Sequence, residues 1–438
     1  MKNKTLQRVA IFILLAIAAI CALPAQAGLP AQADMPAQEE PGDELTIKIA
    51  VMGPGNELYF WWGHIGLMIN NARTGQSRFY DYGLFSFDND AFFFNFAFGR
   101  LWYSSGVTPS GYNIATYLYS NRDVVLYTLD LPPEKREEIR QYAERSILPE
   151  NRDYLYHHFK HNCTNPILSM IDIATNGQFK ERYSKEPGRF TLRQHVRRHT
   201  WFSPFFDWVL SFWMGQDIDT PITVWDEMFL PGEIARCISE FEYVDSNGVS
   251  RPLVLEKEVI NRARNRPPVL EFPRRQWPRE LALSLFAALV LGALFFLQSR
   301  SPAAGQVALG ITHSLLGLFF GGVGLLLFFM STFTSHDYTY HNANLLFANP
   351  LLLIAFPLGI RYAVSRNYNS RLRSEFILRL LWLLVVLGIF ASMLIKLTPW
   401  YWQDNLTDQM LMLPIALVLS LEPAGLRRMI ERIFWRWL

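Results

Sequence analysis

Two short stretches decide how this chain folds: Trp62-Gly63-His64-Ile65-Gly66-Leu67 and, much later, His161-Asn162-Cys163-Thr164-Asn165-Pro166. The second opens a helix. Ile167, Leu168, Met170, Ile171 and Ala174 fall on one helical face, Gly177 closes the pattern and Pro166 suits a first turn. Cys163 therefore stands at the positive end of a helix dipole, beside N–H groups without helical partners, a setting that favours a thiolate. Plain burial is the commoner fate of a lone cysteine, and it stays the alternative. The first stretch begins an alternating segment that turns through Asn71-Ala72-Arg73-Thr74-Gly75 and returns as Arg78-Phe79-Tyr80-Asp81-Tyr82. A hairpin centred between Ala72 and Arg73 sets His64 opposite Asp81, on one face of the sheet. A carboxylate there orients the imidazole as the third member of a nucleophile, base and orienter set. A slip of one residue would bring Tyr80 or Tyr82 instead, on the wrong face, and leave Asp81 a solvated carboxylate near the turn.

Outward from these stretches, strand patterns cover 45–52, 64–70, 78–82 and 124–129, and helical patterns cover 133–146 and 164–175. Residues 44–250 read as one mixed α/β domain. Residues 251–279, rich in arginine and proline, read as a linker.

The composition of the 438-residue chain is 50% hydrophobic and 15% aromatic but only 18% charged, against about 25% for a soluble chain. Part of it belongs outside water. The 41 Lys+Arg nearly balance the 39 Asp+Glu, which argues against nucleic acid as a partner. Three cysteines make no disulfide scaffold. After Pro278, apolar segments run near 281–298, 306–333, 345–364, 377–397 and 409–421. The first four are each long enough for a ~30 Å hydrocarbon layer at ~1.5 Å per residue. Pro414 interrupts the shorter fifth. Arginines cluster between the third and fourth segments (Arg361, Arg366, Arg371, Arg373) and after the fifth (Arg427, Arg428, Arg432, Arg436), whereas 334–344 has no lysine or arginine. With 44–280 outside, the positive-inside rule sets both clusters in the cytoplasm, and that parity needs five spans. The transmembrane domain is thus expected at 280–425, with a basic cytoplasmic tail at 426–438. Trp400, Trp402, Trp435 and Trp437 stand as interfacial anchors. Residues 1–27 have a basic start, an apolar run and the ending Ala25-Gln26-Ala27, the layout of a cleaved signal peptide. Residues 28–43 then form a disordered leader.

Further residues carry weaker signals. His157, His158 and His161 beside Cys163 lack a zinc-protease pattern, and no metal is expected. Cys237 reads as a small buried residue, with a disulfide to Cys163 as the alternative in an oxidising compartment. The aromatic run Phe92, Phe93, Phe94, Phe96, Phe98, Trp102 and Tyr103 is either core or an acyl-binding lip. His313 faces a bundle interior, and Gly317 with Gly321 marks close helix packing.

Histidine before cysteine, with the histidine on a strand and Asn-Cys opening a helix, resembles the circularly permuted papain-like (NlpC-like) enzymes. More closely, Trp62-Gly63-His64, Tyr80-Asp81-Tyr82-Gly83-Leu84-Phe85-Ser86-Phe87 and Asn162-Cys163-Thr164 resemble the Lnb-type lipoprotein N-acyltransferases. That family joins an α+β permuted papain-like periplasmic domain to an all-α five-span transmembrane domain. The outer loop 336–350, with His336, Asn342, Asn344 and Asn349-Pro350, is also similar. The chain departs from the family at Asp81, where asparagine is usual, and at Asn165-Pro166, where the family has Thr-Arg. The resemblance implies transfer of an acyl chain from a membrane phospholipid to the N-terminal diacylglyceryl-cysteine amine of a lipoprotein. It implies Cys163 as nucleophile, His64 as base and Asp81 as orienter. Asn162 and Thr164 would support the oxyanion; Trp62, His336, Asn342 and Asn344 would meet the substrate. No cofactor is implied, and the inner membrane is the expected location. Two other readings stay open: a membrane-tethered cysteine peptidase or amidase acting on cell wall, and a non-catalytic membrane platform.

Overall fold

The computed structural model describes residues 42–85 and 92–421. The expected signal peptide, nearly all of the leader, the basic tail and Trp435 and Trp437 lie outside them. The described residues divide into two units: those up to 189 with 223–266, and 190–222 with 267–421.

The first unit is built on a seven-stranded antiparallel sheet. Its strands are β1 (Leu45–Met52), β2 (His64–Asn71), β3 (Ser77–Leu84), β4 (Leu101–Pro109), β5 (Val124–Leu129), β6 (Asp153–Tyr156) and β9 (Val254–Asn261), in the order β6-β4-β3-β2-β1-β5-β9. A small hairpin, β7 (Glu242–Val244) and β8 (Ser250–Pro252), precedes the last strand. Its helices include α1 (Phe92–Ala97), α2 (Ser110–Tyr119), α3 (Pro133–Ser146) and α4 (Thr164–Ala174). Period-two alternation gives the sheet two apolar faces. Ile47, Ile49, Ile65, Leu67, Tyr80 and Tyr82 pack with Ile139 of α3 and Ile167 and Ile171 of α4. Ala50, Met52, Phe79, Val124 and Leu126 pack with Ile114 and Tyr117 of α2. Helices therefore cover both faces.

The expected linker 251–279 is corrected at its start, because β9 pairs with β5 as a sheet edge. Glu256, Lys257 and Glu258 give this strand an exposed, charged surface. Such charge protects an edge from further pairing and, in sequence, passes for a connector.

In the second unit, helices Leu192–Thr200 and Pro204–Trp213 pack with the apolar helices rather than with the sheet, which corrects the single span 44–250. Trp208 and Phe212 join a core with Phe320, Trp382 and Ile389. Arg193, fully buried, pairs with Asp219 at 2.8 Å and donates to the carbonyl oxygens of Met214 and Gly215.

Four described helical runs are long and apolar enough to cross a membrane: Trp277–Arg300, Pro302–Phe333, Ala343–Val364 and Tyr368–Ile395. The third opens with 3-10 turns at Ala343–Leu346 and Pro350–Ile354 before helix Ala355–Val364. The expected fifth crossing is helix Leu406–Ser420, 15 residues with Pro414 inside. At ~1.5 Å per residue it covers ~22 Å, short of a ~30 Å hydrocarbon layer, so the described residues supply four full-length spans where five were expected. Gly317 and Gly321 let backbones meet: a Cβ there would lie 2.6 Å from Ala355 Cβ and 2.5 Å from Leu353 N. His313 is buried and accepts a hydrogen bond from Trp382 Nε1 at 2.9 Å.

Candidate active site

His64 begins β2 immediately after a tight turn. Gly63 has φ +80°, and a side chain there would push into the Met52 carbonyl oxygen, 2.8 Å from a Cβ. Glycine frees the turn, and Trp62 beside it is half-buried. The β2–β3 hairpin differs from expectation by two residues: Gly66, not His64, lies opposite Asp81. The turn is centred between Arg73 and Thr74, whose N–H groups both donate to Asn71 Oδ1, and Gly75 closes it at φ +69°. A shift of two keeps every side chain on its face. Asp81 reaches diagonally, and its Oδ1 lies 2.7 Å from His64 Nε2, both side chains largely buried.

Cys163 caps α4 at its N-terminus, in helical conformation and only 9% exposed. Its sulfur acts electrostatically on the His64 ring. With Nε2 held by Asp81, Nδ1 is the ring nitrogen that the carboxylate does not engage. Burial works against a charge on His64. The Asp81 carboxylate and the Cys163 sulfur outweigh it, by charge and by hydrogen bonding, and raise the pKa from 6.5 to about 10. Both partners favour the charged form of the ring.

Asn162 is buried and serves differently from expectation. Its Nδ2 donates to the His158 and Phe229 carbonyl oxygens at 2.9 and 3.0 Å. Its Oδ1 accepts from Thr164 N and Thr164 Oγ1, both at 2.8 Å. Both amide hydrogens are committed, so this side chain fixes the start of α4 and has no donor left for an oxyanion. Thr164 is fully buried in the same contact. His157 also holds a turn: its Nδ1 accepts from Phe159 N and Lys160 N, and its backbone bridges His161. Cys237 is a buried free thiol whose pKa burial pushes up to about 12, and it is not paired with Cys163.

Further residues complete the site. Gly83, at φ +139°, forms a floor where a Cβ would sit 3.5 Å from His64 Cε1 and 3.7 Å from Cys163 Cβ. Tyr117 of α2 approaches the imidazole, ring centres 6.2 Å apart. Arg122 is buried over the rings of Phe60 and Tyr117 and donates to the Gly53 carbonyl oxygen. Tyr103, Tyr154 and Tyr156 line the β4–β6 side, with Tyr103 stacked on Tyr156 at 4.2 Å. Alternation in Tyr154-Leu155-Tyr156 was the available signal, but four residues are too few to separate a strand from a loop. The aromatic run is not core at Phe93, Phe94, Phe96 and Trp102, which are each about half exposed or more (46–60%).

His336, Asn342 and Asn344 belong to the other unit, and all three are buried. Asn342 donates to the Phe212 carbonyl oxygen and accepts from Asn344 N and Gln403 Nε2. Asn344 donates to Phe212 O and Asp408 Oδ2 and accepts from Asn405 Nδ2. Tyr338 OH lies 2.9 Å from His336 Nδ1. These amides tie their loop to the helix Pro204–Trp213 and to residues 403–408.

The arrangement can deprotonate a thiol, attack an activated carbonyl and return the proton to a leaving group. Residues 32–198 match the Lnb N-terminal periplasmic domain, and residues 276–399 match the Lnb transmembrane domain. No curated protein and no solved structure gives a significant match.

Proposed function

The chain belongs to the Lnb family, and on that premise we propose that it is a lipoprotein N-acyltransferase working through a thioester on Cys163. It is a membrane-anchored protein with a periplasmic domain. The observation that carries the reading is the buried set of Cys163 at a helix N-terminus, His64, and Asp81 at 2.7 Å from the ring.

The sulfur, its proton held on His64, attacks the ester carbonyl carbon of a phospholipid. The carbon–oxygen bond breaks, His64 gives its proton to the leaving oxygen, and a lysophospholipid departs. The amine of the lipoprotein's N-terminal diacylglyceryl-cysteine then attacks the thioester carbonyl. The carbon–sulfur bond breaks, and His64 carries the amine's proton back to sulfur, leaving an amide and a free thiol. With the Asn162 amide committed elsewhere, the Cys163 N–H is the nearest backbone donor for the tetrahedral oxyanion. Phe93, Phe94, Phe96 and Trp102 form an exposed apolar lip suited to an acyl chain. Membrane anchoring holds the catalyst where both lipid substrates are concentrated, which replaces a search through solution with local positioning.

The test is mass spectrometry of a lipoprotein N-terminus from cells lacking the gene, complemented with wild type or Cys163→Ser. Wild type restores the added acyl chain and the variant does not. Covalent fatty acid on Cys163, released by neutral hydroxylamine, accompanies it. Cleaved cell-wall peptide with no acyl-cysteine would favour the peptidase reading. Full function of Cys163→Ser would favour the non-catalytic platform.

A further inference from the structure

We propose that Tyr154 donates its phenolic hydrogen to the oxyanion formed when Cys163 attacks an acyl carbonyl; this rests on the acyl-transfer reading above. Tyr154 lies on β6, opposite Tyr103 of β4. β6 runs into the turn closed by the paired backbones of His157 and His161, and two residues later the chain reaches Cys163. The Tyr154 ring meets that of His161 edge-on, centres 4.9 Å apart. The strand and turn therefore bring this phenol to the nucleophile's own loop.

Its hydroxyl is shielded from solvent and has no hydrogen-bond partner among the described residues. Three other tyrosines of this unit do have one: Tyr82 with Ser146 Oγ, Tyr183 with the Cys237 carbonyl oxygen, Tyr243 with the Asp130 carbonyl oxygen. A buried O–H without an acceptor is destabilising and calls for an explanation. Burial first, then the neighbouring Cys163 and Asp81, raises the Tyr154 pKa, so the group stays a neutral donor through the working pH range. An oxyanion donor must be placed for the oxygen of the tetrahedral intermediate and not for the resting sulfur. A phenol that Cys163 influences electrostatically, and that bonds to nothing at rest, meets this requirement. It also supplies the donor that the Asn162 amide cannot.

The experiment uses full-length protein with phospholipid and compares wild type with Tyr154→Phe in two reactions of Cys163. Thioester formation passes through an oxyanion and is expected to slow by about 10²–10³-fold, the effect of losing one such donor. Alkylation by iodoacetamide displaces iodide at a saturated carbon, forms no oxyanion and is expected to stay within about twofold of wild type. Because the lost hydroxyl has no partner, the melting temperature should not fall. Unchanged acylation overturns the proposal. So does an equal loss in both reactions, or a clearly lowered melting temperature, since either marks a structural role. If wild type itself forms no thioester, the acyl-transfer reading fails, and this outcome is distinct from a failure of Tyr154 alone.

Discussion

Replacing Asp81 with asparagine isolates what the carboxylate charge does for His64. The ring's rise from 6.5 to about 10 corresponds to roughly 5 kcal/mol in favour of its charged form at 1.36 kcal/mol per pH unit. Burial opposes that preference, and Asp81 and Cys163 share in producing it. A hydrogen bond to a charged group contributes about 1.5–3 kcal/mol. Asparagine keeps the shape and an acceptor but removes the charge, so the ring should titrate about one to two pH units lower. The assay is kcat/KM for acylation by a soluble ester between pH 6 and 11, with Cys163→Ser as the blank. Its basic limb reports loss of the imidazolium that protonates the leaving group, as a property of the coupled Cys–His pair. Wild type should hold its rate until near pH 10, and Asp81→Asn should begin to fall near pH 8–9. Stability follows the same linkage. A raised folded pKa stabilises fully below the unfolded value of 6.5 and loses its contribution as pH rises through about 10. Asp81→Asn should therefore destabilise most near pH 6 and hardly at all above pH 10. A basic limb that coincides with wild type would refute the electrostatic coupling of Asp81 to His64.

Asn162→Ala leaves the buried Phe229 carbonyl, the His158 carbonyl and the Thr164 N–H without their partner, and should destabilise the sheet unit by about 2–4 kcal/mol in denaturant unfolding. Gly83→Ala imposes a side chain at φ +139° but meets its neighbours only at ordinary contact distance. Its cost should be the backbone strain, about 1–3 kcal/mol, read from the same unfolding curves. Asp219→Ala strands the fully buried Arg193 charge and should destabilise the membrane unit by about 3–5 kcal/mol, seen as loss of monodisperse protein in detergent.

Local pattern made much of this legible in the sequence. The strands at 45–52 and 124–129 and the helix at 133–146 appear where periodicity puts them, because each must bury one apolar face. The helix start at Cys163 was readable from Pro166 and the apolar spacing. The shared face of His64 and Asp81 survived a misplaced turn, since a hairpin shifted by two residues leaves side-chain direction unchanged. Long apolar runs likewise specify spans without reference to any neighbour. What the sequence left open were choices between partners. Asn162 resembles an oxyanion donor until its two hydrogens are traced to the carbonyls of His158 and Phe229, the second 67 positions away. The amphipathic helix Leu192–Thr200 carries no mark of which unit will bury it, and the charged strand Val254–Asn261 none of the edge it will occupy. Periodicity is a property of a segment, whereas a hydrogen-bond partner or a packing surface arises only when distant segments meet. The chain alone thus determined two apolar-faced architectures and a cysteine preceded by a strand-borne histidine. The tertiary structure decided the hairpin register, the sheet edge, the helices that pack with the membrane unit and the tyrosines around the sulfur.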